Sequence, residues 1–280
     1  MPRLDLVCVG EPNVDTVMSA RGESLHQGGP ETNTASAFVK LGGVAGLVGR
    51  VGVDRYGKFA KSNLKKARID FSHVREDSNP TCRVIVETSP EERHITMVKP
   101  FCLSERLNPD DLKYIKRGKG LFVRVRHPLF KKCLDGVKGT HLQVYASTHY
   151  YRGPPGGQPA YDLRKYKLRA IIGSEDEMMV LKKYCQLPKH VILVVTRGAK
   201  GSLAILNGKK ITAPLPVKAV DPTGAGDAFA GGFVFADLQS LPLKTCLLYG
   251  NACGAITVQK IGAQQDISRK KVEKLILKQS

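Results

Sequence analysis

Short apolar runs alternate along the chain with glycine-rich or polar turns and with longer segments in which apolar residues recur about every 3.6 positions. The apolar runs predict strands at residues 4–10, 46–51, 121–125, 141–145, 169–172 and 191–196. The periodic segments predict helices at residues 34–41, 56–66, 176–184, 226–238, 243–260 and 268–278. Strands that alternate with helices in this way are typical of an α/β fold with a central, mostly parallel sheet.

Two segments, near residues 16–27 and 81–99, break this rhythm because their polar and apolar residues alternate singly. Single alternation predicts half-buried strands, so we expect a small second sheet. Residues 202–206 and 210–213 predict a hairpin around Asn207-Gly208, a pair that favours tight two-residue turns. The chain has 280 residues and no internal repeat, and residues 1–280 are predicted to form a single domain.

The chain is strongly basic, with 44 lysines and arginines, 25 acidic residues and a formal net charge of +19. A polyanionic partner such as nucleic acid is one explanation of this charge. The basic residues are spread along the entire chain and form no arginine-rich tail. This distribution favours solvated helix faces over a nucleic-acid site.

Seven cysteines are scattered without the spacing of a metal site or a disulfide framework, which predicts buried, reduced thiols. No signal peptide precedes the first predicted strand, and no apolar run is long enough to span a bilayer. We therefore expect a cytoplasmic protein with no membrane partner.

The most informative segment, residues 220–233, is a small-residue loop that leads into an apolar helix. Asp221 precedes a proline, so this part of the loop is expected to be extended. Helix N-termini bind anions through exposed backbone amides, and small residues let a ligand approach those amides closely. The small residues at the predicted helix start are Gly224, Ala225 and Gly226. The next residue, Asp227, adds a base for a hydroxyl beside this anion cradle, which is the pairing that phosphoryl transfer to an alcohol requires.

The 220–233 segment as a whole resembles the C-terminal signature of the ribokinase-like (PfkB) carbohydrate kinase family. The resemblance implies a ribokinase-like three-layer α/β/α fold, with a central mostly parallel sheet and a small β lid over the substrate. It also implies an ATP-dependent kinase that phosphorylates a hydroxyl of a small acceptor. By this resemblance Asp227 is the general base, and the amides of the three preceding residues stabilise the transferred phosphoryl group.

Two stretches in the first third of the chain resemble motifs of the acceptor side. Asp15 ends a stretch, residues 10–15, that resembles a strand-end motif, and by resemblance its carboxylate accepts hydrogen bonds from sugar hydroxyls. Residues 28–43 resemble the first family signature. By resemblance, the backbone of Gly28 and Gly29 passes close under the substrate, and Asn33 hydrogen-bonds it. Asp54 is interpreted as a helix cap rather than a catalytic residue.

The stretch Thr-Arg-Gly-Ala-Lys-Gly at residues 196–201 follows a predicted strand and resembles the nucleotide-side loop of the family. By resemblance, Thr196, Gly198 and Gly201 line the phosphates and ribose of ATP. Asn251, in a later helical segment, resembles a residue that flanks the adenine.

Cation sites are implied at two further positions. Glu177 ends a Ser-Glu-Asp-Glu stretch that resembles the Asn-x-x-Glu element of the family, with Ser174 in place of the asparagine. By resemblance Glu177 organises water around Mg²⁺, and the alternative is an ordinary acidic first helical turn stabilised by the helix dipole. Asp221 resembles a residue linked to a monovalent-cation site in some members, so K⁺ is a further candidate whose presence stays open.

The residues leave the acceptor open among sugars, sugar acids, sugar phosphates and nucleosides. The second lid segment offers Arg83, Arg93, His94 and Lys99 and few aromatic residues, which favours a sugar or sugar acid held in part by Lys99. Exposed charges on a strand are the alternative explanation. A nucleoside kinase of the same fold and a nucleic-acid-binding protein on a kinase scaffold are the alternative functions. Homodimerisation through the lid strands, common in the family, stays open.

Overall fold

The alternation of strands and helices is realised in the computed structural model, which describes residues 3–19, 22–88, 93–99, 107–149, 160–214, 224–259 and 266–278. The strands of this described part are β1 (Leu6–Val9), β2 (Val14–Ser19), β3 (Gly22–Gln27), β4 (Ala45–Gly52), β5 (Asp70–Asp77), β6 (Arg83–Thr88), β7 (Arg93–Lys99), β8 (Gly120–Arg124), β9 (Gln143–Ser147), β10 (Leu168–Ser174), β11 (Ile192–Thr196), β12 (Ser202–Leu206) and β13 (Lys209–Ala213). The helices are α1 (Pro30–Lys40), α2 (Arg55–Lys66), α3 (Pro109–Ile115), α4 (Phe130–Gly136), α5 (Glu175–Tyr184), α6 (Ala225–Leu238), α7 (Leu243–Thr257) and α8 (Arg269–Leu277).

The central sheet has nine strands in the order β13-β12-β11-β10-β9-β8-β1-β4-β5. The seven strands from β11 to β5 are parallel, and β12 and β13 extend the sheet as an antiparallel edge. Because the carboxyl ends of parallel strands meet at one edge, the residues that follow β1, β8, β9, β10 and β11 lie along the same edge. Ligands of open α/β sheets bind at that edge.

Helices cover both faces of the sheet, so its central strands are apolar on both sides. Leu6 and Cys8 of β1 face a core built with α1, α2, α6, α7 and α8, whereas Val7 and Val9 face a core built with α3, α4 and α5. The three-layer α/β/α architecture expected from the sequence is confirmed.

The two alternating segments form a separate four-stranded sheet in the order β3-β2-β6-β7. Strands β2 and β6 pair in parallel, and the outer strands pair antiparallel to them. This small sheet is joined to the central one through the short link between β1 and β2, which brings the start of β2 to the ligand-binding edge.

Local signals in the sequence predicted several turns and caps correctly. The hairpin of β12 and β13 turns at Asn207 and Gly208, which have φ angles of 50° and 77°. Asp54 caps α2 by accepting a hydrogen bond from the Gly57 amide at 2.8 Å. Ser268 caps α8 in the same way. Among the described helices, none is long and apolar enough to cross a membrane.

The bounds of some helices and strands differ from the predicted bounds, for physical reasons. Helix α1 begins at Pro30, four residues before the predicted start, because proline fits the first turn of a helix. Strand β9 ends at Ser147, two residues late, because Ser147 pairs with Arg124 of β8 and Ile172 of β10. Strand β5 was not predicted, since it is a charged edge strand, and α3 and α4 were missed because seven residues give little periodicity.

Candidate active site

Asp227 lies in the first turn of α6, and its carboxyl group is buried against α1 and the residues after β9. The side-chain amide of Asn33 donates to Oδ2 of Asp227 at 3.0 Å. The hydroxyl of Thr34 donates to the backbone oxygen of Asp227 at 3.2 Å. Nδ1 of His149 lies 3.9 Å from Oδ1. One carboxylate oxygen is therefore held by α1, and the other faces an imidazole.

The surroundings of Asp227 favour its protonated form more than water does. Burial raises the pKa of the carboxyl group, and the negative charge of Glu31 raises it further. The charge of His149, the hydrogen bond from Asn33 and the charge of Arg124 act in the opposite direction, but the net shift is upward. A raised pKa strengthens a carboxylate as a proton acceptor near neutral pH.

The amino end of α6 has the form of an anion cradle. Its N-cap, Gly224, has φ 74° and ψ 0°, a left-handed conformation that side chains disfavour, and no side chain of the described residues caps the helix. The amides of the first turn therefore keep their hydrogen-bonding capacity for another acceptor. A Cβ atom added at Gly226 would meet no atom of the described residues within 4 Å, so none of them fills the space beside Gly226.

A chain of contacts connects Asp15 to the buried carboxylate of Asp227. A Cβ atom on Gly28 would lie 2.2 Å from Oδ1 of Asp15, so the glycine makes room for this carboxylate. Gly29 has φ 94°, and its carbonyl accepts from the amide of Asn33 at 2.9 Å. Asn33 then bonds Asp227, while its own Oδ1 is buried without a hydrogen-bond donor among the described residues.

The residues predicted for the nucleotide side lie at the end of β11 and on α7. Thr196 ends β11, and its hydroxyl donates to the Gly173 carbonyl of β10 at 3.3 Å. Gly198 and Gly201, with φ angles of 56° and 78°, bracket a single 3₁₀ turn. Asn251 is buried on α7 and donates its amide to the carbonyl of Ala213, at the end of β13. No described contact joins Asn251 to the other three.

Glu177 lies beside Thr196 at the same edge, because its helix α5 follows Ser174 and Ser174 pairs with Thr196 across the strands. Its side chain forms a capping box: Oε2 of Glu177 accepts from the Ser174 amide at 3.1 Å, and Ser174 caps the Glu177 amide. Oε2 also lies 3.3 Å from the Thr148 hydroxyl. Among the described residues, no group of three histidine, cysteine or acidic side chains could hold a metal ion.

Two predicted site residues lie wholly or partly outside the described residues. Asp221 belongs to the segment before α6 that the structure does not describe. Lys99 ends β7, where its backbone pairs with Arg83, but its side chain lies outside the described part.

The family model described as "pfkB family carbohydrate kinase" matches residues 4–128 and 165–270 of the chain. These ranges contain Asp15, Asn33 and Asp227. The chain belongs to the pfkB family of carbohydrate kinases. It is therefore an ATP-dependent phosphotransferase whose acceptor is an alcohol group.

Several proteins similar to this kinase are named for sugars or related compounds. It is 29% identical over 288 residues to a fructokinase of Klebsiella pneumoniae, with 91% of this chain and 93% of the relative covered. It is 26% identical to a 5-dehydro-2-deoxygluconokinase of Geobacillus kaustophilus, over 91% of this chain and 88% of the relative. A ribokinase structure from Arabidopsis thaliana, complexed with ribose and ATP, superposes with a TM-score of 0.85 at 23% identity, covering 98% and 99% of the chains.

The structure of this kinase adds an ion pair to the site that the sequence did not predict. Arg124 ends β8 and donates from Nε to the Glu31 carboxylate of α1. Both side chains are buried, with 6% and 0% of their surfaces exposed. The basic stretch that contains Arg124 was interpreted as a solvated helix face, which is wrong for this residue.

Beside this pair, Nε2 of His127 lies 3.2 Å from the buried carboxylate of Glu11. Nδ1 of His127 accepts from the Leu129 amide at 3.1 Å, so the proton that the ring shares with Glu11 is on Nε2. Burial alone would raise the pKa of Glu11, but the hydrogen bond from His127 and the charge of Arg124 lower it, and the net shift is downward. In the sequence, the signal that could have identified Arg124 as a site residue is its charge at the carboxyl end of an apolar strand.

Proposed function

We propose that this kinase transfers the γ-phosphoryl group of ATP to a hydroxyl of a small sugar or sugar acid, with Asp227 as the general base. The observation that carries the proposal is the buried Asp227 carboxylate beside the amino end of α6, which no described side chain caps. A base and an anion cradle on adjacent residues meet the two needs of phosphoryl transfer to an alcohol.

The acceptor lies, in this proposal, between Asp15 and Asp227, over the backbone of Gly28 and Gly29. Its hydroxyls donate to the Asp15 carboxylate and to Oδ1 of Asn33, the buried oxygen that lacks a donor among the described residues. A buried acceptor atom without a donor costs about 1–3 kcal/mol, and a substrate hydroxyl would remove that cost. Asn33 would thus position the substrate and Asp227 together.

In the transfer step, the acceptor oxygen attacks the γ-phosphorus, and the bond from that phosphorus to the bridging β–γ oxygen breaks. The proton of the acceptor hydroxyl passes to the Asp227 carboxylate. ADP leaves with the bridging oxygen. The amides of Gly224, Ala225 and Gly226 donate to the phosphoryl oxygens as the transfer proceeds, and the helix dipole favours negative charge there.

Thr196, Gly198, Gly201 and Asn251 are proposed to hold ATP at the neighbouring strand ends. A Mg²⁺ ion would neutralise charge on the ATP oxygens, and Glu177 would hold it through water. The donor set fits such an ion, since Mg²⁺ keeps several waters and needs only one or two carboxylates, and Glu177 supplies a carboxylate at this edge of the sheet. We keep Asp221 as the candidate residue for K⁺, and a cytoplasmic location as part of this proposal.

The acceptor class is supported by the side chains that surround the path from Asp15 to Asp227. Those among the described residues offer charge and hydrogen bonds, and none of them is an aryl ring for stacking a nucleobase: Asp15, Glu31, Asn33, Arg124 and His149. Arg83 contributes less than its sequence position suggested, because its guanidinium lies 3.9 Å over the Tyr56 ring. We therefore favour a sugar or sugar acid over a nucleoside.

The proposal is tested by coupled measurement of ADP release with Mg²⁺ and a panel of pentoses, hexoses, sugar acids, sugar phosphates and nucleosides. Turnover with a sugar or sugar acid supports it. Turnover restricted to nucleosides would contradict the acceptor class. The absence of turnover with every member of the panel, in folded protein that binds ATP, would contradict the transfer itself.

Asp227→Asn is expected to lower kcat by about 10²–10⁴, because the base is lost while the shape of the side chain is kept. The acceptor KM should stay within a few-fold of the wild-type value. The matched control is Asp111→Asn, which makes the same change at a buried carboxylate that binds Arg75 on the other face of the sheet. Asp111→Asn should lower the unfolding temperature and leave kcat nearly unchanged. An Asp227→Asn enzyme with most of the wild-type kcat would contradict the assignment of the base.

A further inference from the structure

His149 follows strand β9 by two residues and lies against the proposed base, Asp227. Its Nδ1 atom is 3.9 Å from Oδ1 of Asp227, the carboxylate oxygen that Asn33 does not hold. The pfkB family model matches residues 4–128 and 165–270, so His149 falls between the two matched ranges. The family match therefore assigns no role to His149.

The residues around His149 fix its position at the ligand-binding edge of the central sheet. Its amide lies 3.1 Å from Oγ of Ser147, and the amide of Thr148 donates to the Ile172 carbonyl of β10 at 2.9 Å. Thr148 is fully buried, and a Cβ atom on Gly173 would lie only 1.6 Å from its hydroxyl oxygen. The glycine thus makes room for the threonine, and the backbone that carries the imidazole is packed against β10.

His149 also gives the buried carboxylate of Asp227 a contact with an exposed side chain. Only 8% of the Asp227 side chain is exposed, whereas 29% of the His149 side chain is exposed. The other groups that face this carboxylate are Glu31, Asn33 and Arg124, and all three are buried. Among the described residues that face the carboxylate, His149 is therefore the most accessible to water.

The proposed mechanism leaves one proton on Asp227 after each transfer, and that proton must leave before the next turnover. Burial raises the pKa of Asp227, so the carboxyl group holds the proton more strongly than an aspartate in water does. The buried position also limits direct contact with water. A partly exposed imidazole is suited to receive the proton, because histidine gains and loses protons near neutral pH.

We propose that His149 is a second proton carrier, which takes the proton from Asp227 and passes it to solvent. The inference rests on the proposed function, because it needs Asp227 to be the base. The acceptor O–H bond breaks as its proton passes to Oδ1 of Asp227, and Nδ1 of His149 then takes this proton from Oδ1. The imidazolium ion gives its Nε2 proton to water or to a buffer base, and exchange with water restores the original tautomer. One proton is released for each hydroxyl that is phosphorylated.

The separation of 3.9 Å between Nδ1 and Oδ1 is longer than a hydrogen bond, and it fits this role. An unprotonated Nδ1 and an ionised carboxylate both present lone pairs, so they do not bond before the transfer. Once Oδ1 carries the proton, a small rotation of the ring or one bridging water brings the two atoms into reach. Two acids of neighbouring helices face this segment: Asp227 of α6 faces the ring, and Glu177 of α5 contacts the Thr148 hydroxyl at 3.3 Å.

The test measures kcat of His149→Ala and His149→Gln with saturating ATP, Mg²⁺ and the sugar or sugar acid of the panel that gives the highest turnover. The comparison is made on the plateau above the acid limb of the pH profile. Asp227 is ionised there in every variant, so an effect of His149 on the pKa of Asp227 no longer contributes. On this plateau kcat should fall roughly tenfold or more in both variants, while the acceptor KM changes little.

Added imidazole should raise the kcat of His149→Ala several-fold, because it enters the vacated space and accepts the proton. Pyrazole has a ring of the same size and is a far weaker base, so it should not raise kcat. The matched control is His73→Ala, which removes an imidazole 3.1 Å from the buried carboxylate of Asp111 on the other face of the sheet. His73→Ala should lower the unfolding temperature, keep kcat and show no response to imidazole.

A plateau kcat at the wild-type level in His149→Ala would overturn the proposal. The same result in His149→Gln would reduce the role of the histidine to a hydrogen bond, and this variant is sufficient if His149→Ala fails to fold. Equal rescue by pyrazole, or no rescue by imidazole, would also overturn it. Failure of the proposed function looks different, because Asp227→Asn would then be active or the wild type would turn over no acceptor, and the inference would fall with it.

Discussion

Asp227 combines a buried position with a proposed role, that of general base, which needs its ionised form. Burial raises its pKa, so the ionised base is lost at a higher pH than for an aspartate in water. In the proposed mechanism, kcat/KM should therefore fall as the pH drops through this raised pKa. The residues that face the carboxylate set how far it is raised: Glu31 raises the pKa, whereas His149, Asn33 and Arg124 lower it.

Two neutral substitutions should move the acid limb of the pH profile in opposite directions. His149→Gln removes a positive charge that lowers the pKa of Asp227, so the limb should move to higher pH. Glu31→Gln removes a negative charge that raises this pKa, so the limb should move to lower pH. The measurement is kcat/KM for the acceptor against pH at saturating ATP. Shifts of the same sign, or unchanged profiles, would mean that another group controls the limb.

The predictions from the sequence differ most from the structure for single residues. Asp227 and its neighbours were predictable because a helix start, three small residues and a carboxylate are contiguous. The ion pair of Glu31 and Arg124 joins residues 93 positions apart, and each alone looks like an ordinary surface charge. Only the register of β8 in the sheet, which points Arg124 towards α1, brings the two together.

Among the elements, helix α6 packs unusually closely between helices α1 and α7. A Cβ atom on Gly231 would lie 2.6 Å from the Thr34 carbonyl and 2.7 Å from Ala37 on α1. A Cβ atom on Gly232 would lie 2.7 Å from the Tyr249 carbonyl on α7. Each glycine therefore allows one neighbouring helix to pack closely. Gly231 lies one turn after Asp227, on the same face towards α1.

Gly231→Ala should separate α6 from α1 and disturb the bond between Asn33 and Asp227. We expect kcat to fall at least tenfold, because small displacements of reacting groups are costly, and stability to fall by about 1–3 kcal/mol. Gly232→Ala is the matched control, with the same atoms added against α7. It should cost similar stability and leave kcat within a few-fold of wild type. Unfolding temperatures and kcat of both variants check this, and equal losses of kcat would contradict the role of the α1–α6 contact.

Elements that combine apolar runs with turn signals were predicted with small errors in their bounds. The helices α2, α5 and α6 and the strands β4, β8, β10 and β11 lie within two residues of expectation. The missed elements show little apolar periodicity, and each is stabilised in a different way. Strand β5 is charged, and it is a strand because the edge of β4 offers hydrogen bonds, whereas the short α3 is fixed by the capping box of Asn108 and Asp111.

At the scale of the molecule, the net charge of +19 has two different origins. Many basic side chains lie on exposed helix faces, as the sequence predicted, for example Lys65 and Lys66 on α2. Others, among them Lys116 and Arg117, line a concave surface at the amino ends of the parallel strands. Linear sequence cannot reveal this surface, because its walls come from separate strand ends. Composition therefore predicts how much charge the chain carries, and topology decides where it is concentrated.

The burial of the cysteines reflects how tightly the whole molecule is packed. Six cysteines are buried in the described structure and form no disulfide there: Cys8, Cys82, Cys133, Cys185, Cys246 and Cys253. Burial raises the pKa of Cys246 and of Cys253 to about 12, so little reactive thiolate forms near neutral pH. An aromatic disulfide reagent at pH 8 should therefore react quickly with at most one of the seven thiols, Cys102, which lies outside the described residues. Guanidinium should expose all seven, and Cys102→Ser should show no fast reaction. Two or more fast thiols in the native enzyme would mean that the helical layers open locally, without global unfolding.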